Sequence, residues 1–111
     1  MTDKTPPRSS KLLPVQTGRR NLITDIDGLQ VGQAHDVKAR TGVSVIVPQN
    51  PAIAACSVPG GGPGTRETDA LQPANLVERA DAIVLSGGSV HGLDAASGVT
   101  AALAQEGRGY Q

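Results

Sequence analysis

The chain has no Phe and no Trp, and its one Tyr, Tyr110, stands next to the C-terminus. Aromatic side chains supply the largest individual burials in ordinary cores, so any core here must come from Val, Ile, Leu and Ala. In a chain of 111 residues, where the surface-to-volume ratio already limits burial, that composition reads as a portion of a larger fold. Cysteine is nearly absent as well. Cys56 is alone, which excludes an internal disulfide and fits a reducing, cytoplasmic setting. It follows Ala54 and Ala55 and reads as a buried small hydrophobe. No run approaches the roughly 20 apolar residues of a membrane span. The first segment also lacks the apolar stretch of a secretory signal and carries Pro6, Pro7 and Pro14. With only His35 and His91, and no second ligand at helical spacing, a zinc site is not expected. No other cofactor is indicated.

What is present is unevenly distributed. Formal net charge is zero, yet Lys4, Arg8, Lys11, Arg19 and Arg20 face Asp3 alone within residues 1–20. No aromatic interleaves these cations, so the segment reads as a disordered, solvated leader rather than a nucleic-acid or membrane arm. From Asn21 the pattern changes. Leu22 to Ile26 and Leu29 to Val31 flank Asp27-Gly28, a hairpin signal because both turn residues tolerate positive φ. Thr41 to Val47 is rich in β-branched residues and predicts a strand ended by Pro48. Gln49-Asn50-Pro51 then predicts a turn and Ala52 to Val58 a second strand.

Residues 60–64 are glycine and proline throughout and predict irregular backbone, leading into the polar cluster Thr65 to Asp69. An isolated surface loop would explain that cluster, and so would a network in which Arg66 holds Glu67 or Asp69 near a cleft. Its place after the most flexible stretch favours a cleft rim. A short helix is expected from about Pro73 to Arg79. Ala82 to Leu85 reads as a brief strand covered on both faces. A helix is expected from Ser89 to about Gln105, stopped by Gly107, with Leu93, Ala96, Val99 and Leu103 at helical spacing. Strands first and a strand–helix unit after them make an α+β layered domain.

Between that last strand and helix stands Ser86-Gly87-Gly88-Ser89-Val90-His91-Gly92. Backbone N–H groups at a helix entrance lack intrahelical partners and suit an anion or a developing oxyanion. A tight turn with Ser89 as N-cap explains the same residues, and both readings stand. Three common glycine-loop motifs miss. A nucleophile elbow needs Gly where His91 stands. A Walker A loop needs Lys where Leu93 stands, and the dinucleotide fingerprint needs Gly where Ser89 stands. Asp25 to Gly28 opens like a calcium loop but lacks its later ligands, and turn chemistry explains it better.

Four ordered stretches resemble the DmpA-type L-aminopeptidase/D-esterase family: Asn21 to Gly32 (NLITDIDGLQVG), Thr41 to Val47, Gly60 to Asp69 (GGGPGTRETD) and Ile83 to Val99 (IVLSGGSVHGLDAASGV). The resemblance runs from residue 21 to about residue 107. It implies an α+β fold forming part of an αββα sandwich similar to N-terminal-nucleophile hydrolases. It also implies a precursor that cuts itself before a Ser or Thr, whose freed α-amine then serves the nucleophilic hydroxyl as base. Residues 21–111 would be the N-terminal part of such a domain, completed by the remainder of the same precursor, in a homo-oligomer.

The implied substrates are peptides, amino-acid amides and esters. β-Peptides and nylon-type oligomers are the alternative within the family. No nucleic acid or membrane partner is implied. The nucleophile would lie beyond Gln111, so no catalytic residue is expected within the chain. Gly87, Gly88, Ser89 and His91 are the expected substrate-binding residues, His91 standing where some relatives carry an aromatic. A non-catalytic binding or assembly module, and a phosphate-binding module using the Ser86–Gly92 turn, are the readings from other classes.

Overall fold

A computed structural model describes residues 14–110. Most of the expected basic leader, residues 1–13, lies outside the described residues. Hydrogen bonds reach back to Gly18, whose carbonyl accepts from Asn21 N at 3.2 Å. The Asp25 carboxylate collects the backbone N–H of Arg20 at 2.8 Å, that of Leu22 at 3.3 Å and the Arg20 guanidinium at 3.2 Å. This folds residues 18–25 into a tight N-terminal turn ending in a one-turn 3-10 helix, Ile23–Asp25. Turn chemistry thus accounts for Asp25.

The main sheet has three antiparallel strands in the order β1 (Leu29–Asp36), β2 (Thr41–Pro48) and a later strand, Ile83–Ser86. The β-branched run expected as a strand is the central one. The hairpin, however, does not turn at Asp27-Gly28, where the chain only leaves the 3-10 helix to enter β1. It turns at residues 37–40, where Asp36 Oδ1 accepts from Lys38 N and Ala39 N at 2.7 and 2.8 Å and Arg40 adopts φ 52°. An Asx-type turn closed by an aspartate side chain carries no Asn-Gly or Asp-Gly mark, so the sequence pointed to the wrong turn.

Two strands, β3 (Ala52–Ile53) and β4 (Arg79–Ala80), form a separate two-stranded ladder. The expected strand from Ala52 to Val58 therefore stops after two residues, and Cys56 is exposed rather than buried. The helix expected from Pro73 to Arg79 does not form. A 3-10 turn at Asp69–Leu71 precedes that segment, and Arg79 is drawn into β4 with its guanidinium on the Pro51 carbonyl at 3.0 Å. Pairing with β3 overrides a weak local helical tendency.

The last strand, β5, runs Ile83–Ser86 and pairs with β2. Beyond it the single expected helix is two: α1, Ser89–Gly92, and α2, Ala95–Gln105. The predicted apolar stripe holds, with Leu93, Ala96, Val99 and Leu103 all half-buried. The stop is also where it was read. Gly107 adopts φ +70°, Gly107 N bonds to Ala104 O at 3.0 Å and Arg108 N to Leu103 O at 2.9 Å, the paired bonds of a Schellman ending. Arg108 then ties the end of α2 back to the sheet through the Pro48 carbonyl at 2.9 Å and the Asp81 carbonyl at 3.2 Å.

Residues opposite one another in an antiparallel ladder share a face. The register therefore places Ala34, Val43, Val45, Val84 and Ser86 on one face and Leu29, Val31, Ile46, Ile83 and Leu85 on the other. The helices lie on the first face: α2 packs against β5, and Val84 and Ser86 are half-buried. On the second face Ile83 is 45% and Leu85 60% exposed. β5 is thus covered on one face, not both, and among the described residues no side chain is fully buried.

Candidate functional site

The turn from β5 into α1 is built from close backbone approaches that only glycine permits. Gly87 N donates to Gly42 O at 3.0 Å, extending the β2–β5 ladder by one step. A Cβ on Gly87 would stand 2.7 Å from Thr41 Oγ1, and one on Gly92 would collide with the Gly87 carbonyl oxygen. Ser86 Oγ closes the loop by donating to Gly92 O at 2.6 Å.

Two consecutive residues then take left-handed backbone, Gly88 at φ 103° and Ser89 at φ 57°. For a non-glycine residue that conformation stores strain. Ser89 is accordingly not the N-cap. Gly88 occupies that position. Because α1 is one turn long, few peptide dipoles align there, and its entrance carries little of the partial positive charge that would draw an anion.

A cleft of about 280 Å³ opens beside this turn. Of the residues picked out in the sequence, Gly87 and His91 line it, while Gly88 and Ser89 shape the turn without reaching the wall. The structure adds His35 and Asp36 from the end of β1 and Thr41 from the start of β2. By the register, Asp36 and Thr41 stand on the helix-covered sheet face beside His91, while the His35 side chain lies on the opposite face with Val31 and Ile46. Thr41 Oγ1 is a buried hydroxyl oxygen without a hydrogen-bond partner, held under the Gly87-Gly88 backbone. Nothing in the local sequence marks His35, Asp36 or Thr41. They arrive by the hairpin register, which pairs Asp36 with Thr41 and His35 with Gly42. Among the described residues no cluster of three or more His, Cys, Asp or Glu is placed to hold a metal ion. A second hollow of about 360 Å³ at the far end of the hairpin is lined by Ile26, Asp27, Leu29 and Gln49 and contains none of the expected site residues.

Arg66 does not hold Glu67 or Asp69. Its Nη1 reaches across to Leu93 O at 2.9 Å and Ser97 Oγ at 3.0 Å, at the junction of α1 and α2. The polar cluster is anchored to that junction, with Thr65 Oγ1 and Thr68 Oγ1 2.9 Å apart in a hydrogen bond of their own. Both Glu67, at φ 59°, and Arg66 thus serve a loop whose preceding glycines, Gly60, Gly61, Gly62 and Gly64, leave open space around their Cα atoms.

A mixed α/β layer with a glycine-built strand-to-helix turn beside a small cleft defines the class. Within it the chain belongs to peptidase family S58, the DmpA family, which it matches over residues 21–111. The resemblance read from the four motifs is therefore borne out. The chain is 44% identical over 97 residues to an uncharacterized aminopeptidase of Mycobacterium leprae (strain TN), a match covering 80% of this chain and 27% of that protein. Uncharacterized aminopeptidases of Mycobacterium bovis (strain ATCC BAA-935 / AF2122/97) and Mycobacterium tuberculosis (strain ATCC 25618 / H37Rv) are each 45% identical over 97 residues, covering 80% of this chain and 28% of theirs. The chain thus spans little more than a quarter of the length of these relatives. Among the described residues no helix is long and apolar enough to cross a membrane.

Proposed function

We propose that this chain is the N-terminal part of the larger subunit of a self-processing serine/threonine aminopeptidase acting on peptides or on amino-acid amides and esters. The observation that carries the reading is the family match over residues 21–111, which contains the whole Ser86–Gly92 turn and its cleft. In this reading the nucleophile comes from the remainder of the precursor. The hydroxyl of a newly freed N-terminal Ser or Thr attacks the scissile carbonyl, and its own α-amine, with a pKa of about 8, takes the proton and passes it to the leaving amine. Water then hydrolyses the ester so formed. The residues described here supply one wall of the substrate cleft, through Gly87 and His91, and Gly88 and Ser89 set the turn that presents them.

The open apolar sheet face supports the same reading. Ile83 and Leu85 stand largely bare, as expected of one half of an αββα sandwich whose second sheet belongs to the rest of the precursor. A cytoplasmic homo-oligomer completes the proposal. The test is expression of the full-length protein, with intact-mass measurement and hydrolysis of an amino-acid p-nitroanilide beside its N-acetylated form. Two fragments split before a Ser or Thr, and turnover of the free-amine substrate only, are expected. An uncut, inactive protein would sink the proposal. So would turnover by the purified 111-residue chain, which is expected to be inactive.

A further inference from the structure

The helix that local periodicity predicts from Ser89 to Gln105 is interrupted, and the interruption has a definite structure. Asp94 N bonds to His91 O, Ala96 N to Leu93 O and Ser97 N to Asp94 O, at 3.3, 3.1 and 3.0 Å. These are three-residue, 3-10-type steps in place of the α-helical ladder. No proline or glycine stands at positions 93–95 to force the change. What stands there instead is Arg66, donating through one nitrogen to Leu93 O and Ser97 Oγ from 27 and 31 residues away in the chain. On the other side of the bend, α1 is held to the sheet by Ser86 Oγ on Gly92 O, where the Gly87 carbonyl leaves no room for a Cβ on Gly92.

We infer that Arg66 is a positioning residue: its bonds at the α1–α2 junction hold the bend that keeps α1, and with it His91, against the cleft. A guanidinium donating to a carbonyl makes a bond stronger than a neutral pair. Here that bond occupies the point where a continuous helix would carry His91 away from Gly87 and Thr41. The role of the cleft in substrate binding rests on the function proposed above, but the bend itself does not.

The experiment uses the full-length protein with Arg66→Gln, Arg66→Lys, His91→Ala and the Arg66→Gln/His91→Ala pair. Amide hydrogen exchange, read without substrate, is expected to rise in residues 89–97 of Arg66→Gln while β2 keeps its protection. With a free-amine p-nitroanilide, Arg66→Gln is expected to raise KM about tenfold, the size of one lost charge-assisted hydrogen bond, with a smaller change in kcat and partial recovery in Arg66→Lys. In the His91→Ala background that rise in KM is expected to vanish, because the positioned group is gone. Unchanged exchange in residues 89–97 overturns the inference, whatever the activity. So does an equal KM effect with and without His91. An inactive wild-type protein whose exchange still responds to Arg66→Gln would refute the proposed function and leave the positioning role standing.

Discussion

At the scale of single residues, two groups make the sharpest physical demands. Gly92 sits where any side chain would meet the Gly87 carbonyl oxygen, and that carbonyl is fixed by the adjoining ladder bond from Gly87 N to Gly42 O. Backbone cannot give way as the end of a flexible side chain can. Gly92→Ala is therefore expected to destabilise the full-length protein by about 1–3 kcal/mol, read as a shift of the urea midpoint. Gly98 faces open space, and Gly98→Ala in the middle of α2 is expected to stabilise slightly. Asp25 makes the other demand. The Arg20 backbone N–H, aided by the Leu22 N–H and the Arg20 guanidinium, holds its carboxyl below the usual carboxylate range. A carboxyl depressed in the folded state contributes stability above its unfolded pKa of about 4, and that contribution is lost as pH falls through the folded value. Asp25→Asn is accordingly expected to flatten the acid limb of the stability curve, measured by thermal midpoints from neutral pH downward. An unchanged acid limb would refute the assignment.

At the scale of elements, the β1–β2 hairpin shows how a side chain replaces turn glycine. Asp36 satisfies the N–H groups of Lys38 and Ala39, and Arg40 takes the left-handed position that ends the turn. Asp36→Ala is expected to cost about 1 kcal/mol through the two lost acceptor bonds, and Arg40→Gly to be neutral or stabilising by up to about 1 kcal/mol. Opposite signs in chemical denaturation would test the turn. The strand β2 and the stop at Gly107 were legible because both are local: a β-branched run needs only its own residues, and a Schellman ending needs only glycine's freedom at positive φ. The hairpin turn, the truncated β3, the missing helix before Arg79 and the break between α1 and α2 were not legible. At the segment before Arg79 and at the α1–α2 break a partner distant in sequence, β3 or Arg66, outweighs a local preference of a few tenths of a kcal/mol per residue. The hairpin instead turns on the local Asp36 side chain, which carries no Asn-Gly or Asp-Gly mark.

At the scale of the whole molecule, the decisive fact is that no described residue is fully buried while an apolar sheet face stands open. Marginal stability is the rule even for complete domains, and a layer that buries one face only falls below it. The 111-residue chain by itself is expected to melt without a cooperative transition and to bind a hydrophobic dye. Leu85 gives a test with two signs. Leu85→Ser is expected to reduce aggregation of the isolated chain, where Leu85 is 60% exposed. In the full-length protein, where a covering sheet would bury that position, the same change is expected to destabilise by about 2 kcal/mol or more. Destabilisation absent from the full-length protein would remove the case for a second sheet on this face.

By itself the sequence determined the family, through four ordered motifs, and with it the glycine-built turn from Ser86 to Gly92. It also determined the central strand and the apolar stripe of α2, because periodicity and backbone permissiveness are properties of neighbouring residues. Only the tertiary structure decided that Asp36 and Thr41 join His91 around one cleft, and that Arg66 reaches the Leu93 carbonyl. Strand register and long-range hydrogen bonds set those meetings, and neither leaves a mark in the spacing of the residues it brings together.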